Sequence, residues 1–437
     1  MRIALIAMSG IRACDAELME LGLNLPGFVE RSKTIASLPS LGLLTLAALT
    51  PDHHELDYIE VDDIDEVGDL SDQYDLAAIS TFSAQAPEAY DLADRLRGQG
   101  VTVVMGGLHV TVLKDEALKH CDAVVVGEGE PVWNALLLDL ENDHLRHVYD
   151  GRPYNYDLAD APVPAYELLN IDRYNRLTVQ TSRGCPHRCD FCASSILLTE
   201  TFKQKPIENV LAEIDRIKEL WDRPFIEFAD DNSFVNRKYW RALLPELKKR
   251  NVKWFTETDL SVASDSELLR MMKESGCAQV LIGFESPTRA GLDGIELHNN
   301  WKFKRFDKYK EAIESIQSHG ITVNGCFIVG MDGQTVDVFD DIFDFVRDSG
   351  LYEVQITLLT PFPGTPLYAR LEREGRLTHP GKWERCTLFD LNFVPKDMSE
   401  EEALAGFRQL AVNLYAEEIT QARRNGFRTM LRETNLG

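Results

Sequence analysis

No run of apolar residues in this 437-residue chain reaches the ~18 to 20 that a bilayer-spanning helix needs. The opening stretch Met1-Arg2-Ile3-Ala4-Leu5-Ile6-Ala7-Met8 is too short for a signal peptide and lacks a small-residue cleavage site. A cytoplasmic protein without a membrane span is therefore expected. Basic residues are also in deficit, 46 Lys and Arg against 71 Asp and Glu, for a net charge of −25. Binding to a nucleic-acid backbone depends on clustered Lys and Arg, so this balance argues against nucleic-acid partners. Cysteines number only eight and lack paired spacing, which fits a reducing compartment where thiols act as ligands and not as staples. No second C-x2-C or Cys/His pair follows the single cysteine grouping, which argues against a structural zinc site built with His187. The same lack argues against an auxiliary iron–sulfur cluster. Internal repeats and low-complexity segments are missing as well.

What is present is the composition of a globular protein, 44% hydrophobic and 27% charged. The length exceeds what a single core usually supports, so two domains with a small appendage are expected. Short apolar runs at residues 2–8, 55–60, 76–81, 101–105 and 123–126 alternate with helical patterns at Pro87 to Gly98 and Val112 to His120. Such a rhythm predicts five parallel strands in a doubly wound sheet, with ligands at their carboxyl ends. Residues 141–176, with Pro153, Pro162 and Pro164, read as a linker. Six further strand–helix units, with strands at 177–181, 225–229, 252–256, 280–284, 322–329 and 353–359, predict an incomplete barrel open at one side. A capping box at Ser399 to Glu402 starts an amphipathic helix running towards Arg424. The predicted fold class is thus α/β: an N-terminal doubly wound parallel sheet (1–140), the linker, a partial (β/α)6 barrel (177–395) and a short C-terminal helical region (396–437).

The one cysteine grouping is Cys185, Cys189 and Cys192, spaced C-x3-C-x2-C in Ser182-Arg183-Gly184-Cys185-Pro186-His187-Arg188-Cys189-Asp190-Phe191-Cys192. Three thiols so placed can hold three irons of a [4Fe–4S] cluster and leave the fourth open. The spacing, with Phe191 before the third cysteine, resembles the signature of the radical S-adenosylmethionine (SAM) superfamily, in which SAM chelates the open iron. Ahead of it, Gly106-Gly107-Leu108-His109-Val110-Thr111 and Asp122-Ala123-Val124-Val125-Val126-Gly127-Glu128-Gly129-Glu130 resemble the cobalamin-binding domain of the cobalamin-dependent radical SAM enzymes. The cobalt-ligating motif Asp-x-His-x-x-Gly of classical methyltransferases is missing after the first strand, where the chain reads Gly10-Ile11-Arg12-Ala13-Cys14-Asp15. The expected corrin is base-off, with no histidine on its lower face.

The resemblance implies roles by position. Phe191 would lie against the adenine of SAM, Asp230 and Asp231 would meet its ammonium, and Glu285 of Gly283-Phe284-Glu285-Ser286 would sit near it. Gly330 and Leu359 would contact the adenosine. The bland alternatives are a helix N-terminal Asp pair and, for Leu359, barrel core. Ser80, Ser83, Gly106, Gly107, His109, Gly127 and Gly129 are the cobalamin-contact candidates, with ordinary turn chemistry as their competitor. Cys277 and Cys326 read as inert buried thiols, with hydrogen donation as the alternative. The implied cofactors are a [4Fe–4S] cluster, SAM and cobalamin, and the implied partners are a small-molecule substrate and an electron donor such as flavodoxin or ferredoxin. Methylation of an unactivated carbon is the expected reaction. The alternatives are cyclisation, rearrangement or oxidation by a 5′-deoxyadenosyl radical without methyl transfer, and a non-catalytic cobalamin- or iron–sulfur-binding protein.

Overall fold

The computed structural model describes residues 1–10, 13–20, 38–70, 73–198 and 201–434. Ile11 and Arg12, within the stretch that lacks the cobalt-ligating motif, lie outside them. The chain opens with the strands β1 (Arg2–Met8), β2 (Glu55–Val61), β3 (Leu76–Ser80), β4 (Thr102–Gly106), β5 (Ala123–Val126) and β6 (Val148–Asp150). All pair in parallel, in the order β2-β1-β3-β4-β5-β6. Six of the seven residues of β1 are buried, as a strand covered on both faces requires. The order reverses between β1 and β3, which opens a crevice at their carboxyl ends.

The sixth strand falls inside the segment expected to be linker. It is a three-residue edge strand, held because Tyr149 is buried and its hydroxyl donates to Asp139 (2.9 Å). The helical pattern expected at residues 112–120 resolves into two short helices, Leu108–Val112 and Lys114–Ala117, broken at Leu113.

The second half supplies β7 (Leu177–Val179), the two-residue pair β8 (Ser182–Arg183) and β9 (Lys203–Gln204), then β10 (Phe225–Phe228), β11 (Lys253–Thr258), β12 (Cys277–Glu285), β13 (Thr322–Val329) and β14 (Glu353–Leu358). The order β14-β13-β12-β11-β10-β7 is parallel throughout and leaves β7 and β14 as free edges, so the barrel is open. β8 and β9 form a separate antiparallel pair beside it. The barrel's core is aromatic: Phe284, Phe327, Phe345 and Tyr309 pack ring on ring, as do Phe228, Trp240 and Trp254.

Ser399 and Glu402 form the expected capping box, and the helix Glu400–Tyr415 buries Ala403, Phe407, Leu410 and Leu414 in the barrel core. Ala416 then leaves helical geometry (φ −51°, ψ 137°), and a second helix, Glu417–Thr434, follows where one continuous helix was expected. The two ends of the chain meet. The backbone N–H groups of Cys14 and Asp15 donate to the Asp390 carboxylate (2.8 and 3.2 Å), and Asp15 pairs with Arg408. Among the described residues no helix is long and apolar enough to cross a membrane.

Candidate active site

The loop leaving β7 carries the three cysteines, and its shape is set from both sides. From the end of β10, buried Asp230 accepts from the backbone N–H of Thr181 (2.7 Å) and Ser182 (2.9 Å) and from the hydroxyls of Thr181 (2.5 Å) and Ser233 (2.8 Å). Gly184 turns with φ +90°, and its N–H donates to Asp231 (2.9 Å). On the far side the Asp190 N–H donates to the Ile295 carbonyl (2.9 Å) and the Arg188 N–H to Glu296 (3.3 Å). Cys185, Cys189 and Cys192 thereby line one cavity of 270 Å³ at the barrel mouth.

Burial, with neighbouring acidic groups, raises the Cys185 thiol to about 11 and Cys189 to about 12. Without a metal these thiols keep their protons, and metal binding would displace them. Cys192 contributes to the rise at Cys185, and both of these contribute at Cys189, whereas burial first and then Glu285 and Glu257 raise Cys326 on the lumen wall. A donor set of three thiols fits a cluster with one open iron. His187 donates through Nε2 towards Asp259 (3.2 Å) and packs on Trp301.

The strand-end residues assigned to SAM divide. Asp231, Glu285 and Phe191 line the cluster cavity, and Phe191 continues with Leu359 into an adjoining cavity of 210 Å³ that also holds Met331 and Arg370. Asp230 does not reach either: fully enclosed, it accepts four hydrogen bonds within the loop, so the ammonium contact expected of it is corrected to a loop anchor. Gly330 instead turns the chain after β13 with φ +100°, its N–H bound to Gln334 (2.8 Å).

Glu285 has a left-handed backbone (φ +64°) beside a register shift between β12 and β13, a strained conformation of the kind found at binding sites. Its carboxylate pairs with Lys302, which also donates to the Gly283 carbonyl (2.8 Å). Burial opposes the charge on Lys302, but Glu285 and Cys189 prevail and hold its pKa above the usual lysine value.

Sequence reasoning missed Lys302 and Glu257. Lys302 sits beside Lys304 and Arg305 in the short helix Trp301–Arg305, which gives no strand-end signal, and only the fold turns it into the mouth. Glu257 was signalled by its place near the carboxyl end of a barrel strand. Solvent reaches its side chain through the lumen, yet protein surrounds it, and burial together with Glu227, Asp231, Glu285 and Asp230 raises it to about 8. Its carboxyl has no hydrogen-bond partner among the described residues.

The crevice of the first sheet is a second cavity, also 270 Å³. Ser80, Gly106, Gly107, Gly127 and Gly129 line it, opposite Leu41, Leu46 and Trp133. Gly107 (φ +106°) could not carry a side chain, because a Cβ would lie 2.6 Å from the Thr81 carbonyl oxygen. A floor of bare backbone at strand ends fits a broad ligand laid against it. Ser83 and His109 are not part of this wall. His109 is buried behind it, with Nδ1 bonded to the Ser83 hydroxyl (3.1 Å), Nε2 to the Tyr90 hydroxyl (3.1 Å) and Trp383 against the ring, so the cobalamin contacts expected of both become a core hydrogen-bond network. Burial lowers the His109 pKa, favouring the neutral ring.

Comparison with known proteins agrees with both cavities. Residues 179–346 match the radical SAM superfamily, residues 33–137 the B12 binding domain, and residues 365–436 a domain of unknown function. The bacteriochlorophyllide d C-12(1)-methyltransferase of Chlorobaculum tepidum is 28% identical over 396 residues, covering 89% of this chain and 85% of its own. The hopanoid C-2 methylase of Rhodopseudomonas palustris is 30% identical over 353 residues, covering 79% and 66% respectively. In fold, the chain resembles the radical SAM methyltransferase TsrM from Kitasatospora setae, solved with cobalamin and a [4Fe–4S] cluster bound (TM-score 0.70, 15% identity, 99% of each chain). With both segments matched and the relatives aligned over most of its length, the chain belongs to the radical SAM enzymes that carry a cobalamin-binding domain.

Proposed function

We propose that the protein is a cobalamin-dependent radical SAM methyltransferase that methylates an unactivated carbon of a small-molecule metabolite. The observation that carries this reading is that one short loop serves both cavities: Arg183 lines the crevice of the first sheet, and Cys185, two residues later, lines the cavity at the barrel mouth. When bound, the cluster and SAM supply a carbon-centred radical, and cobalamin supplies the methyl group.

The chain's own residues bind and orient. Cys185, Cys189 and Cys192 hold three irons, while Asp230 and Asp231 fix the loop that presents them. Phe191 and Leu359 would offer the adenosine apolar contacts in a cavity whose other walls carry Asp190, Asp293, Asp332 and Arg370. Glu285 and Lys302 form a buried, charge-balanced pair beside the cluster, keeping one acceptor and one donor at fixed positions where water is scarce. The glycine-lined crevice would hold the corrin. The division into a corrin unit (1–140, extended by β6), a connector, a radical unit (177–395) and a helical cover (396–437) follows the same reading.

Anaerobic reconstitution with iron, sulfide, hydroxocobalamin and SAM, followed by reduction and mass spectrometry, tests the proposal. The expected result is retained corrin with both 5′-deoxyadenosine and S-adenosylhomocysteine formed. Formation of 5′-deoxyadenosine alone would move the reading to radical chemistry without methyl transfer, and no SAM cleavage would reduce it to a binding protein. Reduced flavodoxin or ferredoxin in place of a chemical reductant tests the electron donor.

A further inference from the structure

The loop Gly127-Glu128-Gly129-Glu130 and the hairpin β8–β9 face each other where the two halves meet, and four charges fill the gap. Arg183 donates through Nη1 to Glu128 (2.7 Å) and through Nη2 to Glu130 (2.9 Å). Its cross-strand neighbour Lys203 donates to the second oxygen of Glu128 (2.7 Å) and to the Tyr156 carbonyl (2.9 Å). The side chains are 14%, 7%, 8% and 11% exposed for Arg183, Glu128, Glu130 and Lys203, so the set is desolvated and balanced, two charges of each sign.

Both ends of this set are anchored to a cofactor cavity. Glu128, Glu130 and Arg183 line the glycine crevice, and Arg183 is joined to Cys185 through Gly184, whose N–H is itself bound by Asp231. Gly151 packs against the Glu128 backbone so closely that a Cβ there would collide with the Glu128 carbonyl oxygen. A buried ion pair is a poor source of net stability, because well-packed apolar residues do as well. What an arginine fork on two carboxylates does supply is fixed geometry.

We propose that Arg183 is a positioning residue that sets the separation and orientation of the corrin site relative to the cluster, with Lys203 holding Glu128 in place for it. This inference rests on the function proposed above. It requires that loosening the fork lets the two cofactors move relative to each other while each stays bound.

The test is the magnetic interaction between cob(II)alamin and the reduced cluster, read by electron paramagnetic resonance in reconstituted full-length protein. Wild-type protein should give one defined coupling. In protein loaded with both cofactors, Arg183→Met and Glu128→Gln should lose that single coupling, and Arg183→Lys should not restore it, since an ammonium cannot bridge both carboxylates in the same plane. The ratio of S-adenosylhomocysteine to 5′-deoxyadenosine should fall in the same variants. Where Arg183→Met fails to fold, Glu130→Gln weakens one arm of the fork and should broaden the coupling. A merely structural role predicts lower thermal stability with the wild-type coupling intact, and that outcome overturns the inference. Wild-type protein that retains no corrin would instead remove the proposed function, and this inference with it.

Discussion

Asp230 and Asp231 are adjacent, yet only Asp231 faces the cluster cavity. Asp230 accepts from Thr181 and Ser182 at the start of the cysteine loop and from Ser233 in its own loop, so its removal orphans several buried groups, each costing roughly 1–3 kcal/mol. Asp230→Ala should therefore lower stability by about 3 kcal/mol or more, estimated from those orphaned groups, with iron content falling alongside; denaturant unfolding and iron assay read this. A variant as stable as wild type but weaker in SAM binding would restore the sequence-based assignment. Glu257 gives a prediction of opposite kind. Its carboxyl is raised from an ordinary 4.5 to about 8, so between those values the folded chain holds a proton that the unfolded chain has released. Its contribution to stability is full below pH 4.5 and is lost as pH rises through about 8. Glu257→Gln should flatten that decline, measured as the melting temperature across pH 5 to 9, and an unchanged slope would show that the lumen carboxyl titrates normally.

Strands were legible where turn signals bound an apolar run, whereas the breaks of helices at Leu113 and Ala416 were not. β5 and β13 fall on the residues expected of them, because four and eight apolar-rich residues between turn signals leave little choice of register. β6 was not legible: three residues, Val148, Tyr149 and Asp150, carry no period, and only the free edge of β5 turns them into a strand. The grouping of Cys185, Cys189 and Cys192 in one cavity was legible because their close spacing in one loop brings them together. Ser83 and His109 were misplaced because strand-end position alone does not say which face a side chain takes. The docked C-terminal helix supplies a test at this scale. Gly406 lies mid-helix, where alanine would normally gain up to ~1 kcal/mol in propensity. A Cβ there would strike the Phe339 ring, and such overpacking typically costs about 1–3 kcal/mol. Gly406→Ala should thus destabilise the protein in denaturant unfolding, and stabilisation would show that Phe339 yields freely.

At the scale of the molecule, both parallel sheets carry cavities at their strand ends, and the outline of both sheets was readable from strand–helix alternation. Their mutual placement was not, since it depends on Arg183, Lys203 and the Gly127–Glu130 loop meeting across about 55 to 75 residues of sequence. Separate walls imply separable binding. A Cys185→Ala, Cys189→Ala, Cys192→Ala variant should hold no cluster yet retain hydroxocobalamin through gel filtration, and simultaneous loss of both would show that the crevice depends on a filled cluster site. The contact between the chain ends bears on the order of synthesis. Cys14 and Asp15 are fastened by Asp390 and Arg408, 375 or more residues later. At the usual ~5 to 20 residues per second of translation, the segment after β1 waits roughly 20 to 75 s on the ribosome for its partner. During that interval the first sheet can pair its strands before Asp390 and Arg408 exist to fasten Cys14 and Asp15, so this contact is made last and on a sheet already formed.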